Sequence, residues 1–140
     1  MARVADWPEQ LQAVLERMAV TPFEWGFDDC FLWAVRAACA VTGGMPGEQF
    51  GAPWFYQYSG HLGALRILAS HTMPEIGDQA FGGRRIPPLC AQRGDIALVA
   101  DEDGHQAFAI VDHERCIAPS VDGGTLFVPL ERALMAWRID

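Results

Sequence analysis

Basic residues are scarce in this 140-residue chain, ten against eighteen acidic ones, giving a formal net charge of −8. The ten are also scattered. Without a Lys/Arg cluster to neutralise phosphates, the sequence argues against nucleic-acid binding, and it offers no basic helix for a membrane surface. Long apolar runs are lacking as well. The longest, Cys30 to Val41, is interrupted by Arg36 and is too short to span a bilayer, so no membrane insertion is expected. The N-terminus, MARVADWPEQ, carries charge too early for the apolar core of a signal peptide. Synthesis and folding in the cytoplasm, without export by the general secretory route, are therefore expected. Only four cysteines are present, Cys30, Cys39, Cys90 and Cys116, with no CxxC pair among them. A reducing compartment makes disulfides unfavourable. His113 and Cys116 have ligand-like spacing, but one such pair does not make a metal site. Neither a metal nor another cofactor is expected.

What is present is a globular composition, 51% hydrophobic and 20% charged, at a length suited to one domain over residues 1–140. A chain this long buries roughly 70% of its unfolded surface and needs no staples to fold. Asp6, Pro8 and Glu9 read as the cap and first turn of a helix. Trp7, Leu11, Val14, Leu15 and Met18 form its buried stripe, and Thr21-Pro22 ends it. A turn over residues 23–27 leads to Asp28 or Asp29 as the cap of a second helix, which runs to Thr42 and stops at Gly43-Gly44. Residues 45–60 read as a loop ordered by its rings, Gly60 to Ser70 as a third helix, and 71–93 as mostly loop with room for a short strand or turn.

From Gly94 the pattern becomes strand-like. Asp95–Ala100, Gln106–Asp112, Arg115–Ala118 and Thr125–Val128 are separated by turns at 101–104, 113–114 and 122–124. Pro129 to Leu134 reads as one helical turn and Met135–Ile139 as a final edge strand. Helices first and an antiparallel meander second is an α+β layout.

The most suggestive chemistry belongs to Cys30, in the first turn of the second helix. A cysteine attacks as its thiolate, and the unpaired N–H groups of a helix N-terminus lower a thiol's pKa and can hold an oxyanion. A histidine must then approach from elsewhere to take the proton. His105 is the candidate because it opens a strand whose same side continues as Ala107 and Ala109. Ala34, Ala37, Ala38 and Val41 lie on or near the Cys30 side of the helix, and two small-residue faces in contact would bring His105 to Cys30. The structural counter-reading is a small buried cysteine and a solvated histidine. His61 and His71 are expected to cap or solvate the ends of the third helix, and His113 to lie in a turn.

The segment Phe23-Glu24-Trp25-Gly26-Phe27-Asp28-Asp29-Cys30 resembles the nucleophile motif of NlpC-type, papain-like cysteine peptidases, in which an aromatic turn runs into Asp-Cys at a helix start. Gly94-Asp95-Ile96-Ala97-Leu98-Val99 looks like that family's Gly-Asp strand, and His105-Gln106-Ala107-Phe108-Ala109-Ile110 like its histidine strand. The resemblance covers roughly residues 20–120. Together with Ala136-Trp137-Arg138, it looks closest to a small branch encoded among the tail-tip genes of long-tailed phages and prophages.

The resemblance implies a papain-like fold, N-terminal helices packed on a C-terminal antiparallel sheet, and hydrolysis of peptidoglycan stem peptides during cell-wall penetration. Cys30 would be the nucleophile and His105 the general base and then acid. Asp29 would help bind the free amine of the stem peptide, with Trp25 and Phe31 beside it in the substrate groove. The implied partners are tail-tip or baseplate proteins and the peptidoglycan peptide. The implied location is the host cytoplasm during assembly and then the virion tail tip.

Three positions depart from the pattern. Phe23 replaces a usual Tyr, and Phe31 replaces a usual small Ser, with a ring large enough to fill the cleft. Apolar Ile117 stands near the place of the residue that orients the histidine, leaving Asp112, Ser120 and Asp122 as substitutes. The alternative function is accordingly a structural or assembly component of the tail tip that has kept the fold and lost turnover.

Overall fold

The computed structural model describes residues 2–55 and 57–140. Helix α1 spans Trp7–Val20 and buries Leu11, Val14, Leu15 and Met18, the expected stripe. Asp6 precedes it without capping it. Its carboxylate accepts from the Gln10 side chain instead, at 2.9 Å. Helix α2 spans Cys30–Thr42, and of the two candidate caps it is Asp29 that accepts from the Leu32 N–H. Gly43, in the left-handed conformation at φ 75°, ends α2 by donating to the Cys39 carbonyl. Ten of its thirteen residues are buried, so α2 is the central helix of the domain.

Helix α3 spans Gly60–Leu68. Helix α4, Met73–Ala80, corrects the reading of 71–93 as mostly loop. Its Pro74 sits in the first turn, where a missing N–H costs nothing, and Thr72 caps the Glu75 N–H at 3.3 Å. Ile76, Gly77 and Ala80 are its buried face.

Six strands form one antiparallel sheet: β1 Arg85–Ile86, β2 Ile96–Ala100, β3 Gln106–Asp112, β4 Arg115–Pro119, β5 Thr125–Pro129 and β6 Met135–Trp137, in the order β1-β6-β2-β3-β4-β5. The meander of β2 to β5 follows the expected order. The last strand does not lie at an edge: β6 is inserted between β1 and β2, with Trp137 opposite both Arg85 and Ile96. Burial explains this placement, because Ala136 and Trp137 are fully buried and need cover on both sides.

Both faces of the sheet are covered at its centre. Ile96, Leu98, Phe108, Ile110, Ile117 and Trp137 pack with the helices. Ala97, Val99, Ala109, Val111, Cys116 and Ala118 form a second, thinner core with Leu130. The buried Asp95 ties the chain ends to β2. It accepts from Arg3 at 2.9 Å, from the Ile139 N–H at 2.9 Å and from the Gln92 N–H at 2.8 Å.

Candidate functional site

Cys30 is half-buried at the first position of α2 and lines an apolar cavity of about 90 Å³. Five parts of the chain besides α2 build the walls. The turn before α2 contributes Trp25, the connection between α2 and α3 contributes Trp54 and Tyr58, α3 and α4 contribute Ile67 and Ile76, and β3 contributes Gln106 and Phe108.

Asp29 lines the same cavity yet is 1% exposed. Its Oδ1 accepts from the Leu32 N–H and its Oδ2 from the Gly26 N–H, both at 3.0 Å, and Oδ2 also accepts from the Tyr58 hydroxyl. Gly26 permits the turn that aims this N–H. It has φ 85°, and a Cβ there would lie 2.8 Å from the Tyr58 carbonyl oxygen. The carboxylate thus has three donors and, among the described residues, no cation partner. Burial, followed by the Asp29 charge and hydrogen bond, pushes the Tyr58 hydroxyl pKa up.

The thiol is not activated by its position. Its pKa is raised from 9.0 to about 12, first by burial and then by the Asp29 carboxylate. The backbone N–H groups of Phe108, Phe31 and Cys30 pull in the other direction and lose. The residue that starts the helix at Cys30 is the same one that places a negative charge beside the sulfur. This corrects the expectation that the helix N-terminus would lower the Cys30 pKa. Burial pushes the Cys39 thiol, in the last turn of α2, up to about 12 as well.

Nor does His105 share the cavity. It precedes β3 in the hairpin turn, with its side chain 81% exposed. Asp101 holds it, accepting from the His105 N–H at 2.9 Å and meeting Nδ1 at 3.3 Å. His105 is in phase with Ala107 and Ala109, as expected from the alternation. But Ala109 belongs to the thinner core, and it is Phe108 and Ile110 that pack with α2. The small-residue face of β3 therefore looks away from the helix. On the helix side, the residue at the start of β3 that lines the cavity is Gln106.

The substitutes for an orienting group serve other partners. Asp112 binds Arg93 at 2.8 Å, and Ser120 Oγ accepts from the Asp122 N–H at 3.2 Å. Ile117 is buried in the helix-side core. Phe31, expected in the groove, is buried against Phe81 and Phe108 and forms part of the cavity floor. Trp25 lines the cavity and is stacked by His61 at 4.7 Å with an interplanar angle of 9°. His71 meets the edge or face of Trp54 at 4.6 Å and pairs with Glu75 at 3.1 Å. Both imidazoles therefore pack on rings of the cavity wall, rather than only solvating the helix ends. Of the ring cluster at 50–58, Phe50 is core, and Tyr56 lies outside the described residues. The one cluster of three potential metal ligands among the described residues is Asp101, Asp103 and His105, all exposed in the hairpin turn; His113 and Cys116 are not part of it.

These features define an α+β domain with a capped, half-buried cysteine set in an apolar cavity between its helical layer and its sheet. The chain matches, over residues 2–139, the model of a family described as a domain of unknown function (DUF6950), and it belongs to that family. No curated protein and no solved structure gives a match. No helix of the described residues is long and apolar enough to cross a membrane.

Proposed function

We propose that this chain is an NlpC-type, papain-like domain of a phage or prophage tail tip that works as a structural or binding component and has lost peptide hydrolysis. One observation carries the choice over a stem-peptide endopeptidase: β3 turns Gln106, not His105, toward the cavity that holds Cys30. A carboxamide has no basic nitrogen, so it cannot take the thiol proton. The Asp29 charge supports the same choice, because it disfavours the thiolate that attack requires. The retained features are those of binding. Asp29 is a buried carboxylate that has no cation partner among the described residues and stands on a ring-lined wall, which suits the free amine of a stem peptide. Partners in this reading are neighbouring tail-tip proteins and the peptidoglycan peptide. The chain would be in the host cytoplasm during assembly and at the virion tip afterwards.

The test is digestion of purified peptidoglycan and of a synthetic stem peptide by the wild-type chain and by Cys30→Ala. The expected result is equal, background-level fragment release from both. Release by the wild type that Cys30→Ala abolishes would restore the endopeptidase reading.

A further inference from the structure

Beneath α3 the cavity wall is almost wholly hydrocarbon. Ala64 and Ile67 of α3 line it with Met73 and Ile76 of α4, Phe108 of β3 and Trp25. Its volume, about 90 Å³, is small beside the roughly 150 Å³ apolar cavity that admits benzene. There is room for the end of an aliphatic side chain and not for a ring. At the mouth stands the carboxamide of the exposed Gln106, which offers both a donor and an acceptor.

From this geometry we infer that the cavity takes a neutral aliphatic side chain of valine to leucine size from a peptide, whose adjoining peptide group lies on Gln106, with α3 as the cover. The inference rests on reading the site as a binding site rather than a hydrolytic one. A peptide is favoured over a free hydrocarbon chain because the latter would leave the Gln106 amide at the mouth unused. Leu68, at the cavity edge and 43% exposed, is apolar surface that a bound peptide would cover.

The attachment of α3 suits a cover. It has nine residues, Ser59 makes no side-chain cap bond, and its residues other than Ala64 are not fully buried. A helix this short is marginal on its own. Gly60, at φ 68°, begins it, with its N–H donating to the Trp25 carbonyl at 3.2 Å. Rings hold its two ends, His61 on Trp25 and, just beyond the last turn, His71 on Trp54. Lifting α3 breaks those two contacts, the Gly60 N–H bond to the Trp25 carbonyl and the packing of Ala64 and Ile67, but no strand pairing of the sheet, so its opening is local rather than global.

The experiment reads methylthiolation of Cys30 by methyl methanethiosulfonate at mildly alkaline pH. The thiolate attacks the reagent's sulfenyl sulfur, a Cys–S–S–CH3 disulfide forms, and methanesulfinate leaves. The exposed Cys90 is the reference within the molecule, followed by peptide mass mapping. Saturating N-acetyl-leucinamide is expected to slow Cys30 labelling about fivefold or more, equivalent to ~1 kcal/mol, and to leave Cys90 unchanged. N-acetyl-phenylalaninamide is expected to protect less than about twofold. Ala64→Leu, which fills the space, should remove the protection. Gln106→Ala, a truncation at an exposed position, should weaken it.

Failure of N-acetyl-leucinamide to protect would overturn the inference, as would equal protection by the ring. Protection by leucinamide but not by its acetylated form would assign the site to the amine and the Asp29 charge instead. None of these outcomes bears on fragment release from peptidoglycan, so the two readings fail separately.

Discussion

Tyr58 donates its hydroxyl hydrogen to the Oδ2 of Asp29, fastening the connection before α3 to the N-cap of α2. The same carboxylate fixes the turn at Gly26 and the first turn of the helix. Asp29 is thus the joint at which three segments meet beside Cys30. It is held by donors rather than by a cation, so the loss of one donor leaves a buried charge less well solvated.

Tyr58→Phe should therefore destabilise the fold by about 1.5–3 kcal/mol, the range for hydrogen bonds to charged groups. Urea denaturation with an unchanged m value is the measurement. A midpoint equal to that of the wild type would mean that the hydroxyl is solvated as well elsewhere.

The register of β3 makes a paired prediction. Gln106→His puts an imidazole on the cavity side of the strand, where it can share the thiol proton. Labelling of Cys30 near pH 7.5 should accelerate about tenfold or more. His105→Ala should leave the rate within about twofold, because that ring is solvated and bound to Asp101. The reverse pattern, with His105 required and Gln106→His inert, would show that the strand presents its other face.

Alkaline pH should weaken the fold through its thiols. Burial raises Cys39 from 9.0 to about 12 and Cys116 to about 11, and Cys30 rises to about 12. The folded chain keeps these protons where the unfolded chain releases them. Their contribution is complete below pH 9.0 and is lost as pH climbs through 11 to 12. For the two buried thiols, Cys39 and Cys116, the fall approaches about 1.4 kcal/mol per pH unit each. Urea midpoints at about pH 8, 9.5 and 10.5 should decline with an increasing slope, and Cys116→Ala should flatten the decline. A flat series would place these thiols in contact with water.

Much of this architecture is legible in the residues. The Asp29 cap, the Gly43 stop and the apolar run between them define α2, and the turn residues of the meander separate β2 to β5 at nearly the observed bounds. Helix α4 is hidden because its eight residues hold both Pro74 and Gly77, which read as breakers until the first is placed in the opening turn and the second against a ring. The site is harder to read for a reason specific to β3. Alternation separates Phe108 and Ile110 from Ala107 and Ala109, but apolar residues on both sides leave open which set meets α2. The sheet carries a second core under Leu130 that takes the alanines, and this is a property of the whole fold. Choosing the alanine face moves His105 to the cysteine, whereas the observed choice puts Gln106 there.

Gly77 lies under the indole of Trp137, so closely that a Cβ would stand 2.3 Å from Trp137 Cζ2. The indole cannot yield easily. Trp137 is fully buried, and its Nε1 donates to Asp78 Oδ1 at 2.9 Å. Gly77→Ala should therefore cost about 1–3 kcal/mol through overpacking, even though alanine is the better helix former. Trp137→Phe opens space at the same spot and should itself destabilise, by loss of ring volume and of the Asp78 bond. Combined, the two changes should cost less than the sum of their separate effects by about 1 kcal/mol or more, because the methyl enters the space the smaller ring leaves. Urea denaturation of the four proteins in that cycle measures the coupling. Strict additivity would mean that α4 shifts away from the sheet on substitution, and that this contact does not set how closely α4 packs on β6.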